Sequence, residues 1–429
     1  MAAHHTLTLS ISYFKKHLNR YIFLLISLSI GFAVITIMSS LSMGMTDTLH
    51  NSARGHYGGD LFIISYDKDH GNKMHMSEPE LVKDLLENTG LEYDLLQKRI
   101  NYYREGILYF NGEGVGQKNV YGVEWEDEDF SALDIVEGST DDLILDQSIM
   151  ISETVASELG CKIGDSIILQ GNTLSGQKNT VSLVLRAVFR DTSIFGYYKS
   201  YVPLKELASL LRFSEGDISS YGIYKQEGSF SSEDIKRVHT ALSDNLDTAP
   251  LLENKEDLTR QLDRTQWTGE RYFIIPLSLY ISQVDDLLTA IDLVSYFLYI
   301  MVALIILVSV AVSYQMVIRE RLSEIGTLRA IGMNRTTIMT ILVLEALWLF
   351  GLSLLMGALL SIPGFGILSL IDYSALPGFE LFLQKGRLVP LFTIKSVVLN
   401  ILLLGLILIP AAVIPSYRAS RYPLIEALT

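Results

Sequence analysis

Residues 319–338 read RERLSEIGTLRAIGMNRTTI, and their four arginines, two glutamates and two glycines stand between two long apolar runs. The run before them extends from Leu293 to Val317 and the run after them from Thr337 to Ile371. Two further runs, Tyr21 to Met45 and Thr393 to Ile414, have the same character. Each reaches the roughly 20 residues that cross a bilayer, so four transmembrane helices are expected. The first run follows Lys15, Lys16 and Arg20, as a secretory signal would. Its apolar core is too long for one and no small-residue cleavage pattern follows Met45, so it reads as an uncleaved anchor.

Basic residues that flank spans stay on the cytoplasmic side. Lys15, Lys16, Arg20, Arg319, Arg321, Arg329, Arg335, Arg418 and Arg421 flank one side, whereas the loop Asp372 to Phe392 carries only Lys385 and Arg387. Both termini and the quoted stretch are thus expected in the cytoplasm, with Thr46 to Ala290 outside it. That exterior segment has 41 acidic and 22 basic residues, a net charge of −19 against −14 for all 429 residues. Such acidity argues against nucleic acid as a partner and offers anionic lipid no polybasic patch; its plain meaning is solubility. The single cysteine, Cys161, excludes an intramolecular disulfide, and the exterior segment is large enough to fold on an ordinary core.

Local signals outside the membrane mix helix and strand. SEPELVKDLLENTG offers Ser77 as N-cap, Glu80 as its box partner and Gly90 as terminator. DLFIIS from Asp60, GILYF from Gly106 and VSLVLRAVF from Val181 suit strands, with GQKNT as a turn before the last. ISETVASELGCKIGDSIIL predicts a helix stopped by Gly160, a turn at Gly164 and Asp165, and a strand. The domain is expected to be α+β.

Chemistry is sparse there. DKDHGNKMHM gathers Asp67, Asp69, His70, Met74, His75 and Met76, but its spacing is not that of a closed metal site, so it reads as a solvated loop and no metal is assigned. Glu126 to Asp129 lacks the alternating ligands and glycine of a calcium loop and reads as a solvated face. HExxH, GxSxG and CxxC are missing; GEGVGQK near Gly112 lacks both the glycine before Lys118 and the Ser or Thr after it that a phosphate loop requires. No catalytic residue, cofactor or nucleotide site is expected on this chain.

Leu277, Ile281, Val284, Leu288, Ile291 and Leu298 follow a coiled-coil spacing broken by Ser295. A helix from Pro276 to Tyr314 would span about 57 Å, against a hydrocarbon core of about 30 Å. Roughly half of it would be a stalk, and Leu41, Met45 and Leu49 extend the first helix similarly. Such stalks either transmit motion or serve as rigid support. In the third span Glu345 suits a structural contact with a cytoplasmic-side partner, although an intramembrane carboxylate is by default functional. Gly351, Gly357 and Ala358 suit close helix packing, and Pro363, Gly364 and Gly366 predict a break or end.

Within the quoted stretch, Ile318, Leu322, Ile325, Leu328 and Ile331 mark one apolar face of a short helix, and Arg319, Glu320, Arg321, Glu324 and Arg329 decorate the rest. Gly332 and Asn334 should end it, with Thr336 capping the next span. The helix is either an interfacial anchor or a docking surface on which Gly326 permits close approach.

Glu324, Ile325, Gly326, Leu328, Arg329, Ala330, Ile331 and Gly332 fall in register with E-I-G-x-L-R-A-[IL]-G, so the stretch resembles the loop between the second and third spans of MacB/FtsX-type ABC transporter permeases. PSYRASRYPLIEALT is similar to the family's ending at Pro415, Arg418, Ala419, Arg421, Pro423, Glu426, Ala427 and Leu428. ASELGCKIGDSIIL and YKSYVPLKELASLL resemble exterior domains of its lipoprotein-releasing and macrolide-exporting branches. The resemblance is weakest between Tyr66 and Asp142.

It implies a multi-pass protein of the bacterial inner membrane that borrows ATP and magnesium chemistry from a separate cytoplasmic ABC ATPase. Glu324, Ile325, Gly326, Leu328, Arg329 and Gly332 would form the coupling surface, and a second permease, identical or paralogous, would complete the membrane part. Chain length and a lone exterior domain favour the lipoprotein-releasing (LolC/LolE-like) branch, with a lipoprotein or periplasmic carrier as further partner. Export of a peptide or drug, wall-hydrolase regulation and a non-transporting sensor or scaffold are the alternatives. The expected order is cytoplasmic 1–20, span 21–45, exterior 46–276, stalk and span 277–317, coupling helix 318–336, span 337–371, loop 372–392, span 393–414 and tail 415–429.

Overall fold

The computed structural model describes residues 18–420 apart from 129, 131–132, 146, 191–194, 226–228, 375 and 377–378. Lys15, Lys16, Asp129, Arg421, Pro423, Glu426, Ala427 and Leu428 lie outside the described residues, as do the side chains of Arg20, Val284, Asp285 and Asp286. Two compact units result, one of Thr48–Leu287 and one of Met1–Asp47 with Leu288–Thr429.

Helix α1 (Leu18–Tyr57) comes first, then β1 (Leu61–Asp67), β2 (Lys73–Met74), α2 (Pro79–Asn88), β3 (Leu95–Tyr103), β4 (Ile107–Phe110) and β5 (Glu113–Gly116). They are followed by β6 (Asn119–Val123), β7 (Ile135–Gly138), β8 (Ser148–Ser152), α3 (Glu153–Leu159), β9 (Ser166–Asn172) and β10 (Lys178–Phe189). The domain closes with β11 (Lys199–Pro203), α4 (Leu204–Leu211), β12 (Ser220–Tyr224), α5 (Ser232–Ser243), α6 (Lys255–Arg264) and β13 (Glu270–Pro276). Only helices remain: α7 (Leu277–Tyr280), α8 (Ser282–Glu320), α9 (Leu322–Ala330), α10 (Arg335–Leu370) and α11 (Ile394–Ser420).

Among the described residues the strands form one sheet in the order β13-β1-β12-β3-β6-β11-β8-β10-β9-β4-β5, with β2 on β1 and β7 on β10. β1, β8 and β12 are buried at every position, which is why β1 opens on the unbroken apolar run Leu61, Phe62, Ile63 and Ile64 instead of an alternating pattern. Leu207, Leu210 and Leu211 of α4 share a core with Ile100, Val120 and Leu169. Val82 and Leu86 of α2 and Val238 and Leu242 of α5 share another with Leu61, Ile63 and Ile274. At one end of the sheet β5 is exposed except for Val115. At the other, a neighbouring segment lies on β13: the Tyr272 N–H donates to the Asp247 carbonyl at 2.9 Å and the Ala249 N–H to that of Tyr272 at 2.8 Å.

Several local expectations meet their elements. Gly160 terminates α3 at φ +64, and the strand after it begins at Ser166. The glycine-rich stretch near Gly112 is the β4–β5 hairpin turn, with Asn111 and Gly112 at φ +49 and +90, a conformation that tight hairpins demand. Others are corrected. Ser77 does not cap α2; its N–H instead donates to the Glu270 carboxylate at 3.0 Å, and Pro79 opens the helix. Lys178, Asn179 and Thr180 are already β10, since β9 supplies them a partner strand. Glu128 is not on a solvated face: its side chain is buried against the Arg99 guanidinium.

Among the described residues, four helices are long and apolar enough to cross a membrane. Their inner faces pack as one cluster that includes Leu28, Phe32, Ile306, Tyr314, Leu342, Leu349 and Leu408. The helix expected from Pro276 is interrupted. Ile281, fully buried, takes φ −95 and ψ 9 between α7 and α8, because burial of Leu277, Leu279 and Ile281 in the domain fixes a turn there. α8 alone still measures about 58 Å. Pro363 does not end the third span, which continues to Leu370. A proline removes one helical hydrogen bond, whereas leaving the helix inside a bilayer would expose many. Its N-cap is Asn334, not Thr336. Of the three small residues only Gly357 makes a close contact, against Ser29 and Phe32; Gly351 faces open space and Ala358 is exposed.

Candidate functional site

The quoted stretch contains α9 and the turn on each side of it. Between α8 and α9 the backbone pauses at Arg321, with φ −102 and ψ 6, and the side chain turns inward to 3% exposure. This corrects the reading of Arg321 as surface decoration. Its guanidinium pairs with the carboxylate of Glu345, which is fully buried in α10. It also donates to the Tyr21 hydroxyl at 3.1 Å, and Tyr21 donates to Glu345 Oε2 at 2.8 Å. Arg321 Nε reaches Glu324 at 3.3 Å. Alongside, the Tyr314 hydroxyl donates to the Leu342 carbonyl at 2.9 Å and lies 3.2 Å from Ser416 Oγ. Tyr21 and Glu345 belong to the first and third spans, so the root of α9 is tied into both, while Tyr314 and Ser416 link the second span to the fourth.

A buried ion pair is held by geometry: the Coulomb gain offsets desolvation only while both partners and their extra hydrogen bonds are present. The six residues expected on a coupling surface divide. Ile325 and Gly326 are buried, Leu328 and Arg329 are half-buried with Leu328 against the span cluster, Glu324 is half-buried, and Gly332 is exposed at φ +100. Ser323, Thr327, Ala330 and Ile331 form the outward face, Ile331 at 80% exposure. Periodicity had placed Ile331 on the inner side; it sits at the C-cap, where the helix has ended and the 3.6-residue period no longer applies.

Among the proposed seam residues, Leu277 and Ile281 are buried within the domain, Leu288 is buried and Ile291 is half-buried in the other unit. Where α1 and α8 leave the span cluster, Ser42 Oγ donates to Asp292 Oδ1 at 3.2 Å.

The exterior domain has buried charge of its own. Lys199 is 2% exposed, its Nζ lies 4.7 Å from the Tyr57 ring and 5.1 Å from that of Tyr121, and it has no hydrogen-bond partner among the described residues. Burial first, then Lys118 and Arg99, push its pKa well below the ordinary lysine value. Burial, Lys199 and Arg99 likewise depress His56, whose Nδ1 is 3.3 Å from the Tyr201 hydroxyl. Folding thus lowers the proton affinity of residue 199, and from the lowered value up to the ordinary one of about 10.4 stability rises with pH. Lys199→Met is expected to stabilise by about 1–3 kcal/mol at neutral pH and to flatten that slope, as read by thermal unfolding across pH.

The segment DKDHGNKMHM is only partly a solvated loop, because Asp67, His75 and Met76 are buried. Asp67, His75 and Glu270 bring one potential metal-ligand atom each to within 4.8 Å of one another. Glu270 lies 195 positions from His75, so no spacing rule could have found it.

The chain matches no curated protein sequence. Residues 22–248 match the family model of the MacB-like periplasmic core domain, and residues 296–424 that of the FtsX-like permease C-terminal region. Among solved structures, the periplasmic region of MacB from Actinobacillus actinomycetemcomitans is 13% identical, covering 53% of this chain and 94% of that one, with a TM-score of 0.32. A permease-protein domain from Porphyromonas gingivalis is 14% identical, covering 52% and 91%, with a TM-score of 0.29. Membership rests on the two family models, whose order agrees with one span, an α+β domain and three further spans. Permeases of this kind typically work with a cytoplasmic ATPase. The chain belongs to the MacB/FtsX-type ABC transporter permeases, as a membrane-embedded protein with a periplasmic domain.

Proposed function

We propose that this chain is the permease subunit of an ABC complex in the bacterial inner membrane, with both termini and α9 cytoplasmic. ATP and magnesium are used by a separate ATPase seated on α9, and a second permease, identical or paralogous, completes the complex. The observation that carries this reading is the buried contact among Arg321, Glu345 and Tyr21, through which a push on α9 reaches the first and third spans. The extensions of α1 and α8 beyond the bilayer then deliver the motion to the periplasmic domain. The cargo we favour is a lipoprotein leaving the outer leaflet of the inner membrane; a peptide or drug is the alternative, and the two share this machinery.

Ile331→Glu places a charge on the outward face without touching the buried contact. It is expected to reduce the co-purifying ATPase about tenfold, the effect of losing some 1.4 kcal/mol, while the thermal midpoint stays unchanged. Isolation of the complex with no ATPase subunit, insensitive to Glu324→Lys or Gly326→Trp, would favour a sensor or scaffold, whereas retention of the ATPase in Ile331→Glu would seat it away from this face. Native mass spectrometry of the complex identifies the cargo: an acylated protein supports lipoprotein release, and a peptide or small molecule supports export.

A further inference from the structure

We propose that Asp67, His75 and Glu270 form a binding site for a divalent transition-metal cation, with zinc as the ion its donors suit. This inference is independent of the transport reading.

Strand pairing builds the site. β1 and β13 are antiparallel with Asp67 directly opposite Glu270, and β2 places Lys73 and Met74 beside Asp67 and Tyr66, so the next residue, His75, follows against the same strand. Two carboxylates in direct cross-strand register repel each other, and a cation between them removes that penalty. Lys73, the other neighbour of Asp67, is directed away and donates to the Thr173 carbonyl at 2.5 Å.

Ligand geometry agrees. His75 Nδ1 is 2.9 Å from Glu270 Oε1 and 3.8 Å from Asp67 Oδ2. Ligands about 2.0–2.2 Å from a tetrahedral zinc stand about 3.4 Å apart, so the pair at 2.9 Å would open and the pair at 3.8 Å close by about half an ångström as the ion enters. His75 is 8% exposed, and its Nδ1 is a buried atom whose near neighbours are these two carboxylates. A ring nitrogen that faces two carboxylate oxygens stands where either a proton or a metal cation can sit between them.

The surroundings are those of a metal centre too. The other ring nitrogen, Nε2, donates to Asp217 Oδ2 at 2.9 Å, and the Ser214 N–H holds that carboxylate at 2.9 Å. A carboxylate on the far nitrogen fixes the tautomer that leaves Nδ1 free for a cation. Glu270 is oriented by the Ser77 N–H at 3.0 Å and by the Tyr272 hydroxyl at 3.1 Å. His70 Nδ1 lies 2.5 Å from Asp67 Oδ2, with its side chain 44% exposed at the approach. Three protein ligands with nitrogen and oxygen donors leave a fourth position for water.

A proton competes for the same nitrogen. Burial lowers the His75 pKa, and the hydrogen-bonding carboxylates of Glu270 and Asp217 outweigh it and raise it. The experiment must separate the two occupants. Full-length protein in detergent is stripped with chelator and titrated with Co²⁺ alone, then with Zn²⁺ against a chromophoric chelator. One saturable equivalent, a visible cobalt band displaced by zinc, and a thermal midpoint raised by zinc are expected. His75→Gln, which keeps hydrogen-bonding capacity, and Glu270→Gln should each weaken zinc at least tenfold and abolish its stabilisation. No stoichiometric binding to the parent protein, or binding that persists in both variants, overturns the site and leaves His75 as a protonated bridge between carboxylates.

Discussion

Glu345→Leu alone is expected to destabilise the membrane unit by about 3–5 kcal/mol, because it strands the Arg321 guanidinium in an apolar interior. The measurement is the thermal midpoint of the detergent-purified protein. Tyr21→Phe removes the hydroxyl that accepts from Arg321 and donates to Glu345, and should have a smaller effect, about 1–2 kcal/mol. The informative variant is Arg321→Met combined with Glu345→Leu. With both charges gone and apolar volume in their place, stability should return to within about 1 kcal/mol of the parent. Transmission should not return, since nothing polar then ties α9 to the first and third spans: the partner ATPase should still bind but no longer respond to cargo. A double variant as unstable as the single one would show that the pair holds the fold by something other than charge satisfaction. A double variant with normal coupling would show that the pair is scaffolding only.

Packing of the spans predicts the second large effect. A Cβ at position 357 would stand 2.6 Å from the Ser29 carbonyl oxygen and 2.9 Å from the Phe32 ring, distances at which backbone must move. Gly357→Leu is therefore expected to cost about 1–3 kcal/mol or more through overpacking between α1 and α10. Gly351→Leu on the same helix meets no atom within 4 Å and should leave the unit unchanged. Comparing the two removes any general effect of glycine replacement on helix propensity. Equal losses would mean that the contact between α1 and α10 is not what residue 357 supports.

These elements differ in how far the sequence announced them. Length and apolarity alone identify the spans, because the bilayer imposes a requirement that no tertiary contact alters. Gly160 and the strand from Asp60 were equally plain, each resting on local backbone chemistry. The partners of charged side chains were not plain. Glu345 was recognisable as an intramembrane carboxylate, but amphipathic periodicity assigns every charge on a short helix to its outer face, and Arg321 was assigned there with the rest. Its inward turn depends on the backbone leaving helical geometry for one residue, which side-chain identity does not specify. The burial of Asp67 and His75 was hidden for a different reason: they are close in sequence, but Glu270 reaches them only through the pairing of β1 with β13, a contact of long range. The break at Ile281 was hidden by a seam spacing that fits a continuous helix well. Burial of three apolar side chains in a neighbouring core overrode it.

The two ends of the sheet remain. β5 is four residues long and contains two glycines, and β13 carries the Asp247–Ala249 segment on its free side at Tyr272. Neither margin presents a long row of open amides on which a foreign strand could crystallise. For permeases crowded side by side in one membrane, a short margin and a partly covered one lower the hazard that periplasmic lobes zip into fibrils.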